Sequence, residues 1–428
     1  MKILLLIFIQ GCLSSANLSD TDASWSILGF TGYAGEIVIN NLTGSSLFYW
    51  LFQSANGNIF TDKLPIILWL QGGPGCSGES GMLNEKVGPF LINSNTQPII
   101  NPDTWISSFH VISVDYPLGA GFSFANAAYD MKNTTIQASA YLYNFLVKLS
   151  KKYPTWFNRD LYIFGDSYAG HWIPGIAYTI LMNNRSPSPQ AAFQLKGIGI
   201  GDPWIEAYTQ DQYYSDYAYQ SGLIDQEELK IIQTLENELV AQLTSENYDQ
   251  ASTLHDNILG NIVNYAGNVN VMNLRCYNNC YDLGKIPEWM NLASTKNMLH
   301  APMDIVWQDC NGALGNAWTE DTMTSMASYF PLILDNVKVL IYNGQDDLLV
   351  NSMGTQALLA KLNWPYIQEF FNAYKIIWKV NGEVAGYVTN YNNLSFVLVL
   401  KAGHLMSHDQ PHIAKDMVYR FINNEGWQ

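Results

Sequence analysis

The chain has 428 residues, 48% hydrophobic and only 14% charged, a composition that supplies a large core and does not fit general disorder. Its 37 acidic residues outweigh 21 basic ones, and the formal net charge of -16 argues against nucleic acid or an anionic membrane as partner. The charge suits solubility in an acidic compartment, and an ordinary acidic surface explains it equally well.

The first residues, "MKILLLIFIQGCLSSAN", carry one basic residue, a short apolar run and then small residues. This pattern predicts a secretory signal peptide over residues 1–16, cleaved after Ala16 and too short to span a bilayer. No later stretch is long and apolar enough for a membrane anchor. An exported chain gives meaning to Asn-x-Ser/Thr sequons, which occur at Asn17, Asn41, Asn133, Asn184 and Asn393 as candidate glycan sites. Cys76, Cys276, Cys280 and Cys310 remain after leader removal, an even number that implies two disulfides in one of three pairings. The distant thiols are poorly spaced for zinc.

Short apolar runs that end in Gly, Pro or Asp predict strands within 64–75, 110–117, 161–170, 195–202, 337–347 and 394–404. Helical spacing over 134–153, between two of these runs, predicts a crossover helix and hence a mainly parallel sheet covered on both faces. Core sequence of this type is expected over 17–205 and again over 326–428. The stretch 206–325 differs: it holds an amphipathic helix at 225–243 and three of the cysteines, and it reads as a helical insertion capping the sheet.

Ligands bind beyond the carboxyl ends of strands in open α/β sheets. There the chain carries Gly165-Asp166-Ser167-Tyr168-Ala169-Gly170, a Gly-x-Ser-x-Gly turn between a strand and a helical run. That context predicts a nucleophile elbow, with Ser167 pushed out where a base can reach it. The order serine, acid, histidine then points to Asp346 or Asp347 as orienting acid and to His404 as base. The amide of Tyr168 and the Gln71-Gly72-Gly73-Pro74-Gly75 loop offer donors for a developing oxyanion. His404, His408 and His412 are spaced like metal ligands on one helix, but Pro411 breaks that helix, and no metal or cofactor is expected. "GIGIGD" (197–202) begins like a dinucleotide fingerprint, yet Asp202 replaces its third glycine; it reads as a close-packed strand end.

"WLQGGPGCSG", "VDYPLGAGFSF", "GDSYAGHWIP", "NGQDD" and "AGHLMSHDQP" resemble, in order, the motifs of the serine carboxypeptidases. "VLIYNGQDDLLV" and "WKVNGEVAGYV" look most like the vitellogenic-like carboxypeptidase branch. The resemblance implies an α/β-hydrolase fold: a central, mostly parallel mixed sheet flanked by helices, with a helical cap over the active site. It implies a peptidase acting on peptides or proteins with a free C-terminus, usually at acid pH, in the lysosome or vacuole or outside the cell. By position it implies Ser167 as nucleophile, Asp347 as acid, His404 as base, and the Gly73 and Tyr168 amides as oxyanion donors. Substrate-carboxylate recognition would fall to Gln71, Gly72, Glu85 and Asp166. Here the chain departs twice, with Gln71 where the family has Asn and Asp166 where it has Glu. The resemblance further implies a disulfide between Cys76 and Cys310, leaving Cys276 with Cys280. An acyltransferase or esterase on the same scaffold, or a protective binding protein, would carry much of the same sequence.

Overall fold

The computed structural model describes residues 21–277 and 279–427. The leader read over residues 1–16 and the sequon at Asn17 lie outside the described residues. Among the described residues, eleven strands form one sheet. Six of them run parallel through its centre: β4 (Ile66–Leu70), β7 (His110–Val114), β8 (Asp160–Asp166), β9 (Gln194–Gly201), β10 (Lys338–Gly344) and β13 (Leu394–Val399). Antiparallel strands extend both ends: β1 (Thr21–Ile27), β2 (Phe30–Asn40) and β3 (Ser45–Phe52) beside β7, and β12 (Glu383–Tyr391) with β11 (Ile376–Val380) beside β13. β5 (Phe90–Ile92) and β6 (Pro98–Ile100) pair separately.

The central strands are buried on both faces, which is why their sequences are continuously apolar rather than alternating. Side chains on a strand point alternately to opposite faces, so each strand feeds two cores. Ile66, Leu68 and Leu70 join the core beneath the helices Thr135–Lys152 and Ala169–Asn184, while Ile67 and Trp69 join the core beneath Pro411–Asn423. Leu161 and Ile163 face one way, and Tyr162 and Phe164 the other. The glycines of "GIGIGD" leave room for rings: a β-carbon on Gly199 would lie 2.2 Å from Phe164.

From 202 to 337 no described segment adds a strand to the main sheet. The helix predicted at 225–243 is Gln226–Thr244, started by a capping box in which Asp225 accepts from the amides of Glu227 and Glu228 and Glu228 returns to the Asp225 amide. Helices of this region reach both cores, through Leu239 and Ile258 on one side and Trp289 and Met290 on the other.

The antiparallel flanks were not read from the sequence. β11 and β12 are joined through Asn381 and Gly382, at φ 52° and 84°, which is the left-handed turn that an Asn-Gly pair favours.

Among the described residues two disulfides are present, Cys76–Cys310 across 234 residues and Cys276–Cys280 across 4. Loop-closure entropy makes the first worth about 5 kcal/mol and the second about 2 kcal/mol. Replacing Cys76 and Cys310 by Ser is therefore expected to lower the denaturant midpoint more than replacing Cys276 and Cys280. Equal effects would contradict this ordering.

Candidate active site

β8 ends at Asp166 and the helix Ala169–Asn184 begins two residues beyond Ser167. Ser167 sits in the left-handed region at φ 58°, a strained conformation for a residue with a side chain. Its amide donates to Gly201 O at 2.8 Å, and its carbonyl accepts from Gly170 N and Trp204 N, both at 2.9 Å. A β-carbon on Gly165 would fall 2.0 Å from Leu70 O and 2.8 Å from Ala169 Cβ, so only glycine fits before the turn. Ser167 is half-buried amid buried neighbours.

Register carries the other groups to the same edge. Asp166 pairs with Gly201, Gly201 with Tyr342, and Gly344 with Val399. Asp347 and His404 follow in the loops after β10 and β13. His404 Nδ1 lies 2.9 Å from Asp347 Oδ2, and both residues are buried. Asp347 Oδ1 also accepts from Leu349 N at 2.9 Å and Oδ2 from Val350 N at 3.2 Å. Asp346, the other candidate acid, instead pairs with Arg275 at 2.7 Å.

The glycine loop after β4 backs onto the serine. A β-carbon on Gly72 would lie 2.7 Å from Ser167 Cβ and 2.9 Å from Tyr168 N. Gly73 follows it at φ 111°, and the Cys76–Cys310 bridge fastens the loop to the segment 202–337.

Beside the loop lies a carboxyl pair. Gln71 Nε2 donates to Glu85 Oε1 at 2.6 Å and to Asp166 Oδ1 at 3.0 Å, and Gln71 Oε1 accepts from Trp69 Nε1 at 2.9 Å. The one extra methylene in Gln71 thus reaches an acid that is one methylene short. Burial, then the charge and hydrogen bond of Asp166, pushes the Glu85 carboxyl well above the usual range; burial lifts Asp166 to about 6. His404 is close enough to act electrostatically on Glu85.

The serine carboxypeptidase family model matches residues 24–424. The chain belongs to the serine carboxypeptidase family. It is 34% identical over 426 residues to "Serine carboxypeptidase S10 family member 1" of Dictyostelium discoideum, covering 98% of this chain and 99% of that one. It is 31% identical to "Probable serine carboxypeptidase CPVL" of Homo sapiens, covering 94% and 85%. The crystal structure of Kex1(delta)p, a prohormone-processing carboxypeptidase from Saccharomyces cerevisiae, superposes with a TM-score of 0.81 at 26% identity, covering 91% of each chain.

Not every residue singled out in the sequence meets at this edge of the sheet. His408 faces Asp409, and His412 faces Asp103 and Asn381; the helices Met406–Asp409 and Pro411–Asn423 are separate, as Pro411 requires. Asn41 and Asn133 are exposed, but Asn184 and Asn393 are half-buried with their amides donating to Phe193 O and Leu334 O. Sequence reasoning missed Trp69 and Asp202. A charged residue closing a central strand was the available signal for Asp202, and it was read only as a packed strand end.

Several acids elsewhere are also lifted by burial, Glu36 and Glu236 both to about 7. A carboxyl whose folded pKa is raised contributes stability that is full below its unfolded value and is lost as pH rises through the folded value. With unfolded values near 4 and folded values of 6 to 7, the loss falls between about pH 4.5 and pH 7.5. The thermal midpoint is expected to drop across that window in scanning calorimetry. A midpoint that rises instead would mean these carboxyls are ionised in the fold.

Proposed function

We propose that this family member hydrolyses peptides from their free C-terminus through Ser167, His404 and Asp347. His404 Nε2 takes the Ser167 proton as Oγ attacks the scissile carbonyl, while Asp347 holds Nδ1–H in place. The Tyr168 and Gly73 amides meet the oxyanion that forms. His404 then gives its proton to the departing amine. Water, activated by the same imidazole, cleaves the acyl-enzyme and restores the serine.

The observation that carries the exopeptidase reading is the Gln71–Glu85–Asp166 cluster beside the elbow, within reach of a substrate terminus. A carboxyl pair sharing a proton can donate to a substrate carboxylate; two carboxylates would repel it. With Asp166 lifted to about 6 and Glu85 well above its usual range, the pair is uncharged in acid and gains its first negative charge toward neutrality, which opposes the substrate carboxylate. This supports work at acid pH, although an imidazole base alone favours higher pH. The leader over 1–16, the two disulfides and the exposed sequons Asn41 and Asn133 support the secretory pathway, ending in the lysosome or vacuole or outside the cell.

The test is an N-blocked dipeptide against its C-terminal amide from pH 4 to 7. The free acid is expected to be preferred by on the order of 100-fold in kcat/KM near pH 5, with the preference shrinking toward pH 7 as KM for the acid rises. Ser167→Ala should lose at least about 10⁴-fold in kcat with either substrate. Equal turnover of acid and amide would remove the exopeptidase reading and leave the nucleophile standing.

A further inference from the structure

β9 lies between the strand that presents Ser167 and the strand that leads to Asp347, and Asp202 closes it. Asp202 sits at φ 41°, a left-handed conformation that turns its side chain back across β10. Its amide donates to Tyr342 O at 2.7 Å. Its Oδ1 accepts from Gly344 N at 2.9 Å and from Asn343 Nδ2 at 3.2 Å. Its Oδ2 is buried and meets no donor.

The Asp202 carboxyl faces the acid of the triad. One oxygen of Asp202, one oxygen of Asp347 and one ring nitrogen of His404 all lie within 4.8 Å of one another, and all three residues are buried. Asp347 supplies only acceptor oxygens to Leu349 N, Val350 N and His404. Two bare carboxylates at this depth would repel each other; a proton on one converts repulsion into a charge-assisted hydrogen bond. The remaining groups facing Asp202 are Asp166 from β8, Tyr342 from β10 and Tyr217 from the helix Tyr214–Gln220, with His404 the basic side chain of the cluster among the described residues.

We infer that Asp202 is a positioning residue for the triad: its carboxyl O–H donates to Asp347 and holds that acid in line with His404. The inference rests on the triad reading above. Burial and the adjoining Asp347 charge raise Asp202 well above the usual range, in keeping with a retained proton. When alkali removes that proton, Asp347 loses a donor and gains a like charge beside it. The enzyme therefore has a second alkaline limit, acting on the chemistry and separate from capture of the substrate terminus.

A probe without a carboxylate isolates this limit: the second-order rate at which an alkyl fluorophosphonate inactivates the full chain, followed from pH 4.5 to 8.5. Asp202→Leu removes the donor and is expected to slow inactivation on the order of 100-fold at acid pH. Asp202→Asn keeps an acceptor for Gly344 and Asn343 and presents Nδ2–H to Asp347 at every pH. It should recover at least about tenfold of that loss, and its ratio of rates at pH 8.5 and 5 should exceed the native ratio by about tenfold or more. Equal rates for the Leu and Asn variants, or an Asn profile that superimposes on the native one, would overturn the inference. If the Leu variant does not fold, the pH ratio of the Asn variant decides alone. Undiminished labelling of Ser167→Ala would instead overturn the triad reading itself, whatever the Asp202 variants do.

Discussion

Six strands running in one direction leave their carboxyl ends side by side, with neighbours about 4.8 Å apart, and the loops leaving those ends must diverge. That constraint brings a serine, an aspartate and a histidine from positions 167, 347 and 404 to one edge without any of them being close in sequence. The strained turn at Ser167 is tolerated because its neighbours leave it no alternative. Its amide and carbonyl are both taken by the β9 end, at Gly201 and Trp204, and the glycine loop closes on it from the β4 side. The sheet fixes the backbone, and the backbone aims the hydroxyl.

Burial of acids is the second theme, and it follows from the first. Loops crowded at one edge bury whatever side chains they carry, and here those are carboxyls in pairs. Glu85 lies with Asp166, and Asp202 with Asp347. Beneath the glycine loop, Glu79 lies with Asp115, whose oxygens accept from Ser77 Oγ, Gly78 N and Phe122 N. Burial is the largest cause of the upward shift in Glu79, Asp115, Glu85, Asp166 and Asp202 alike. A pair of this kind is stable with one proton and costly without it. At this edge of the sheet the buried pairs are therefore favoured where a proton is available to each.

The parts of this arrangement that were legible in the sequence are those where one residue type decides. Continuous apolar runs stopping at Gly or Asp located β4, β7, β8, β9, β10 and β13. Glycines flanking Ser167 located the elbow, because no other residue fits 2.0 Å from Leu70 O. The β3 flank was not legible as antiparallel, since β3 is buried along its whole length and shows no alternation; the Asn381-Gly382 turn between β11 and β12 was a legible signal that went unused. The strand end read at 197–202 is closely packed, but the direction of the Asp202 side chain was not legible, because it depends on a backbone angle that composition does not report. Likewise a sequon at Asn184 does not reveal that its amide is already bonded to the backbone of Phe193.

The segment between β9 and β10 is more than a cover. Met272 O accepts the amide of His404 at 2.7 Å, Val271 O accepts Leu348 and Leu349, and Leu274 N donates to Asp346 O at 2.8 Å. Asp409, held by Tyr281 and Asn273 at 2.8 and 3.0 Å, accepts Gly403 N just before the histidine. The loops bearing Asp347 and His404 are therefore each bonded to this inserted segment. A lid that swung freely would break these bonds and misplace His404. The Cys76–Cys310 bridge and the shared cores are further points at which the segment is fixed to the sheet.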